Sequence, residues 1–159
     1  MPVVAKKRGE AEKFEASSKD LIVGWFKELN ITHSVDDKGR IILPFRDDAT
    51  ALNLNLVLVP RMKQSGAMWA VQAVIPIGVP GYDGEPGLAK AIKFSNTWNA
   101  ENFLVKSSAV AADGKTFFLF EASMVCEAGI SKSEFFQNFV GIQVQSSRIF
   151  IEKAAAAAN

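Results

Sequence analysis

The sequence predicts an α+β domain: a single antiparallel sheet with three helices, in the order α-β-β-β-β-α-β-β-α. Three observations carry that prediction. Leu52, Leu54, Leu56 and Leu58 alternate with Asn53, Asn55, Val57 and Val59, the period of a strand with one buried face. Ala112-Asp113-Gly114-Lys115 lies between two apolar runs, and Asp-Gly favours the tight turn of a hairpin. Three other segments carry apolar residues at helical spacing.

The chain has 159 residues, enough for one domain with a real core. Apolar residues make up 48% and Phe alone occurs 12 times, so the chain is too rich in buriable surface to be disordered. Lys and Arg number 18 against 17 acids, a net charge of +1, and no global field draws the protein to nucleic acid or anionic lipid. Cys126 is the only cysteine, which excludes an intrachain disulfide and fits a reducing compartment. No apolar run approaches the roughly 18 residues of a membrane helix. Residues 1–18 lack the apolar core of a signal peptide. The expected place is the cytoplasm, with neither membrane nor nucleic acid as partner.

Residues 1–16 read as a flexible leader, with the basic cluster Lys6-Lys7-Arg8 offset by Glu10, Glu12 and Glu15. The domain proper is expected over 17–153. Its first helix runs from about Lys19 to Asn30. Ser17 and Ser18 compete to cap it, Leu21, Ile22, Trp25, Phe26 and Leu29 share its inner face, and Asn30 suits its left-handed end. A hairpin follows, Thr32–Val35 and Arg40–Phe45 around Asp36-Asp37-Lys38-Gly39. Pro44 marks an edge or a strand end. In the leucine strand one face must be buried. The other begins polar and ends apolar at Val57 and Val59, so it is wet at one end and covered or contacted by a partner at the other. Pro60 is expected to end this strand, and Ala67–Ile77 to return after a Lys63–Gly66 loop.

Residues 78–87 are rich in Gly and Pro and hold the only tyrosine, Tyr82. Their glycines match neither phosphate-binding loop pattern, and they read as a mobile connection. The second helix is expected from about Gly87 to Trp98, with Leu88, Ala91, Ile92, Ser95 and Trp98 inward and Asn96 or Asn99 as its stop. Trp98 belongs to the core on that face. Phe103–Ala111 and Thr116–Val125 form the last hairpin. Phe117, Leu119 and Glu121 point one way, Phe118, Phe120 and Ala122 the other. Both faces are apolar, so this strand is central or covered on both sides. Ser131-Lys132-Ser133-Glu134 caps the final helix, which carries Phe135, Phe136, Phe139, Val140, Ile142 and Val144. Ser146-Ser147 is a candidate break, and 154–159 a frayed alanine tail.

No reaction chemistry emerges. One His and one Cys cannot make a self-contained Cys/His zinc site. Asp36-Asp37 lacks the converging oxygens a divalent cation requires. Cys126 follows a strand of buried type and reads as a small hydrophobe. No nucleophile elbow is present, and the carboxylates are dispersed among turns and helix faces. We therefore expect no catalytic residue, no metal and no cofactor. Phe117, Phe118 and Phe120 resemble a base-stacking platform only superficially, because Lys115 is the one cation beside them.

From Phe94 onward the residues resemble the bacterial YbjN family, described as candidate sensory-transduction regulators with a type III secretion chaperone-like fold. The likeness lies in Asn96-Thr97-Trp98-Asn99 at a helix end, Asp113-Gly114 in a hairpin, and Gly129-Ile130-Ser131 opening an aromatic-rich helix. Leu29-Asn30-Ile31 and Asp36-Asp37 agree in the N-terminal half. It spans roughly Ser18 to Glu152. The loop at 78–87 and the alanine tail depart from it. The resemblance implies a three-helix, one-sheet domain, often a homodimer, with no catalytic residues. Chaperones of that fold bind extended client segments.

The leading expectation is a non-enzymatic protein-binding module, a homodimer that also takes an unidentified client or regulatory protein. Its candidate partner surface is Val57, Val59, Tyr82, Phe118 and Phe120. The rival expectation is a small-ligand binder or enzyme with 78–87 as a lid over Tyr82 and Asp83.

Overall fold

Capping chemistry sets the first helix. The structure, a computed structural model, describes residues 13–159. Helix α1 spans Lys19–Glu28, and the Ser18 hydroxyl accepts the Leu21 N–H at 3.1 Å. Its end is a Schellman motif: Ile31 N–H reaches Phe26 O at 2.9 Å, Asn30 N–H reaches Lys27 O at 3.1 Å, and Asn30 sits at φ 53°. Ser17, the rival cap, does something else. Its hydroxyl donates to Met68 O at 3.1 Å and Cys126 O at 2.7 Å, tying the start of the domain to two distant segments.

Six strands form the main antiparallel sheet: β2 (Ser34–Val35), β3 (Ile41–Asp47), β4 (Leu52–Met62), β5 (Met68–Ile77), β6 (Lys106–Ala112) and β7 (Lys115–Val125), in the spatial order β2-β3-β4-β5-β7-β6. The α+β class, the one main sheet and the three helices are as the sequence predicts. Asp36 locks the first turn. Its carboxylate accepts from Lys38 N, Arg40 N and Arg40 Nε, the last at 2.6 Å. The Asp113-Gly114 turn takes φ 52° and 75°, the left-handed pair that fits a two-residue hairpin.

Prolines sit where a neighbour is missing. Pro44 lies past Ile42, the last β3 residue paired with β2, so β3 is an edge there. Pro60 does not end β4 as expected. It lies beyond Leu58, the last residue paired with β3, so its absent N–H interrupts no ladder on that side. Pro76 likewise lies beyond Val74, where β5 has parted from β4 and keeps only β7.

Helix α2 (Gly84–Glu101) is longer at both ends than the spacing predicts, with Pro86 in its first turn. Asn99 is not its stop. The Asn99 amide donates to Ser107 O at 2.8 Å and its carbonyl oxygen accepts Ser107 N–H at 2.7 Å, so it replaces a missing neighbour strand along the outer edge of β6. Lys106 caps the helix end, donating to Asn99 O and Asn102 O. Ile92 faces solvent rather than the core, and Phe94 turns inward instead.

The last helical stretch opens on Ser131, whose hydroxyl accepts Glu134 N–H at 3.2 Å. It begins as a π-helical segment, Glu134–Val140, and continues as α3, Gly141–Ala158. The Gly141 N–H bonds Phe136 O five residues back, and a Cβ there would lie 2.9 Å from that oxygen. Ser146-Ser147 makes no break: Ser147 is buried and its hydroxyl bonds Val144 O at 2.7 Å. The irregularity falls instead in the π segment, where Phe135, Phe136, Phe139 and Val140 are all buried against α1 or its surroundings.

Both expected chain ends need correction. Residues 1–12 lie outside the described residues. Phe14–Glu15, expected within the leader, forms strand β1 against β8 (Ile130–Ser131), closely enough that a Cβ on Gly129 would meet Glu15 O at 2.9 Å. The alanine tail is helical to Ala158. Ala154 is buried, Tyr82 O–H donates to Ala154 O at 2.8 Å, and Lys90 Nζ donates to Ala158 O at 2.5 Å. Small side chains allow that approach: Gly81 (φ 94°) would place a Cβ 3.0 Å from Ala158 Cβ.

Candidate partner surface

Strand register assigns each residue of the sheet to one of two faces. Ile41, Leu43 and Phe45 lie opposite Leu58, Leu56 and Leu54. Ala73, Ile75 and Ile77 lie opposite Ala122, Phe120 and Phe118. This is the closed face. Phe150 of α3 is the centre of its packing, with ring centroids 5.3 Å from Phe94, 5.1 Å from Trp98 and Phe118, and 4.9 Å from Phe120. Gln143 donates to Phe120 O at 2.8 Å, and Arg148 lies 3.3 Å from the buried Asp47 carboxylate. Among the described residues, every ring contact and side-chain hydrogen bond from α2 or α3 to the sheet falls on this face or on the β6 edge.

The open face carries Ile42, Val57 and Val74, directly opposite one another across β3, β4 and β5. Pro76 lies opposite Leu119, and Phe117 opposite Val110. Val57, Val59, Val74, Leu119 and Phe117 are half-buried, while Pro76, Val110 and Val125 are exposed. A polar line crosses it: Arg61 donates to Gln72 Oε1, and Gln72 Nε2 donates to Glu121 Oε2 at 2.9 Å.

The expected partner surface divides between the faces. Val57 and Val59 are on the open face. Tyr82, Phe118 and Phe120 are fully buried and cannot meet a partner. Alternation placed Phe118 and Phe120 together correctly; what it could not say was which face the helices cover. The open face also includes Gln72, Val74, Leu119 and Glu121, which the expected partner surface does not name although alternation sets Leu119 and Glu121 together.

Tyr82 also removes the lid. Its ring packs edge-on against Phe118 at 5.0 Å, burial pushes its phenol up from 10.0, and the neutral hydroxyl holds Ala154 O. A Cβ on Gly87 would come within 2.2 Å of the Tyr82 carbonyl, so the loop and α2 are in backbone contact. Asp83 Oδ1 faces Thr116 N at 3.4 Å. The segment 78–87 is thus pinned between α2 and α3 and offers Tyr82 to no ligand.

The remaining candidates for chemistry are engaged structurally. Desolvation pushes the Cys126 thiol up, against a smaller opposing hydrogen bond from Ser17, which leaves a neutral thiol rather than a nucleophile. His33 Nδ1 contacts Ile31 O at 2.8 Å and its ring packs on Phe26. Among the described residues no three His, Cys, Asp or Glu side chains are grouped to hold a metal ion, and no helix is long and apolar enough to cross a membrane.

No family model matches the sequence, and no curated protein does. Among solved structures the chain is similar to YbjN from E. coli, described as a candidate transcription regulator. The TM-score is 0.67 at 14% sequence identity, over 91% of this chain and 96% of that one. At that identity the likeness is one of fold, and it agrees with the resemblance read from Asn96–Asn99, Asp113-Gly114 and Gly129–Ser131. The chain has the YbjN fold.

Proposed function

We propose that this protein is a non-enzymatic protein-binding module, a regulator or chaperone-like domain of the bacterial cytoplasm that acts as a homodimer. The observation that carries the proposal is the open face. Val57, Val59 and Val74 stand side by side on paired strands, and among the described residues neither α2 nor α3 makes a ring contact or side-chain hydrogen bond to these three. Contiguous apolar surface left uncovered on a folded domain marks a contact site. The name given to the E. coli neighbour supports the regulatory half of the reading. The net charge of +1 favours protein over nucleic acid as the thing bound. Light scattering across a wide concentration range tests the reading. A dimer is expected, and a strict monomer at every concentration counts against it.

A further inference from the structure

The open face is patterned to fit a second copy of itself. On three paired strands, Arg61, Val59 and Val57 of β4 stand beside Ala70, Gln72 and Val74 of β5, and these beside Val125, Ser123 and Glu121 of β7. Gln72 is the centre of this grid. Arg61 and Glu121 occupy opposite ends of one diagonal, each joined to Gln72 by a hydrogen bond. Val57 and Val125 occupy the other diagonal.

Two sheets packed face to face by a two-fold operation have the axis lying in the interface. An axis along the Val57–Gln72–Val125 diagonal exchanges the ends of the charged one. It lays each Arg61 over the partner's Glu121, sets Val57 beside its own copy, and brings Val59 to the partner's Val74. Arg61 is exposed and uses one of its donors on Gln72, and the Glu121 carboxylate has an oxygen that takes no hydrogen bond from the described residues. Both partners of the new pair therefore have capacity to spare. Charge opposite charge fixes register, while the valines supply the dry contact.

We propose that the open sheet face is the homodimer interface and that reciprocal Arg61–Glu121 pairs set its register. This rests on the homodimer reading above and adds the surface and the specificity-determining residues.

Sedimentation velocity on the full chain tests it, with the wild type, Arg61→Glu, Glu121→Arg and the double reversal compared. Each single reversal sets like charges together and is expected to raise the dimer dissociation constant ~10-fold or more. The double reversal is expected to return it to near the wild-type value, because the Gln72 amide can turn over to bond the exchanged charges. Circular dichroism melts check that each variant folds. Should a reversal fail to fold, Val57→Lys, which places like charges together at the axis, is expected to abolish the dimer. A wild-type dimer indifferent to these changes overturns this interface and leaves the homodimer reading standing, as does a double reversal that fails to restore. A wild type that stays monomeric overturns both.

Discussion

The two faces of the main sheet are built from the same strands and both carry apolar side chains, yet only one is covered by helices. On the closed face Phe118 and Phe120 have no exposure. On the open face, one residue out of phase on the same strand, Val125 is 69% exposed. The difference comes from the helices, not from the strands. Phe150, Trp98 and Phe94 converge on one side, so apolar area there becomes stability. On the other side Val57, Val59, Val74 and Leu119 stay half-buried. A substitution on the closed face is therefore expected to cost folding energy, and one on the open face, if it is the proposed interface, to cost association.

The largest separation is expected at Trp98. Its ring contacts Phe120 and Phe150, and its Nε1 donates to Val105 O at 2.9 Å. Trp98→Ala is expected to cost roughly 3–5 kcal/mol in urea unfolding. A loss near zero would place the ring outside the core and undo the contrast between the faces. Next comes Asn99→Ala, which strands the backbone N–H and C=O of the buried Ser107 and is expected to cost about 1–3 kcal/mol. Faster hydrogen exchange at Ser107, with the core strands unchanged, would show that the cost is local to the β6 edge.

Tyr82→Phe tests the clamp between 78–87 and the last helix. Losing one buried hydroxyl bond is expected to cost about 0.5–1.5 kcal/mol. The phenol's folded pKa is raised above its unfolded value near 10.0, so the neutral form is the one folding favours. Its contribution is complete below pH 10.0 and is lost as the pH rises through the higher folded value. Because Tyr82 is the only tyrosine, absorbance titration reads it alone. The native protein is expected to ionise later than the urea-unfolded chain, and coincident curves would mean that the loop is open after all.

Much of this arrangement was legible in local patterns. The leucines of β4, the Asp113-Gly114 turn and the Ser131 cap are short-range signals, and each acts in the structure as its chemistry dictates. Asn30 ends α1 for the reason its side chain suggests. Several of the misreadings share one origin. Tyr82, Ser17 and the alanine tail take partners far along the chain: Ala154 O, Met68 O with Cys126 O, and Tyr82 with Lys90, while Asn99 reaches forward to the next strand at Ser107. Nothing within a few residues of them encodes those contacts. Tyr82 in a Gly/Pro-rich segment looks mobile until the helix that holds it is in place. The candidate surface was half legible for a related reason. Period two sorts residues onto two faces, but the helices decide which becomes core. That choice left Val57 and Val59 half-buried on the open face and buried Phe118 and Phe120 fully.

The smallest stability effect discriminates best between the faces. Val57→Thr keeps the shape of the side chain and adds a hydroxyl to a half-buried position on the open face. The β-branched backbone preference is retained, and the hydroxyl keeps access to water in the monomer. The unfolding free energy, measured at concentrations too low for association, is expected to change by no more than about 0.5 kcal/mol. In a dimer with Val57 near the axis, the same hydroxyl loses its water on both copies at once. Burying a hydroxyl without a partner costs roughly 1–3 kcal/mol, so dimer affinity is expected to fall while monomer stability holds. A variant that loses stability and association together would show that Val57 is already core. That result would move the boundary between the two faces.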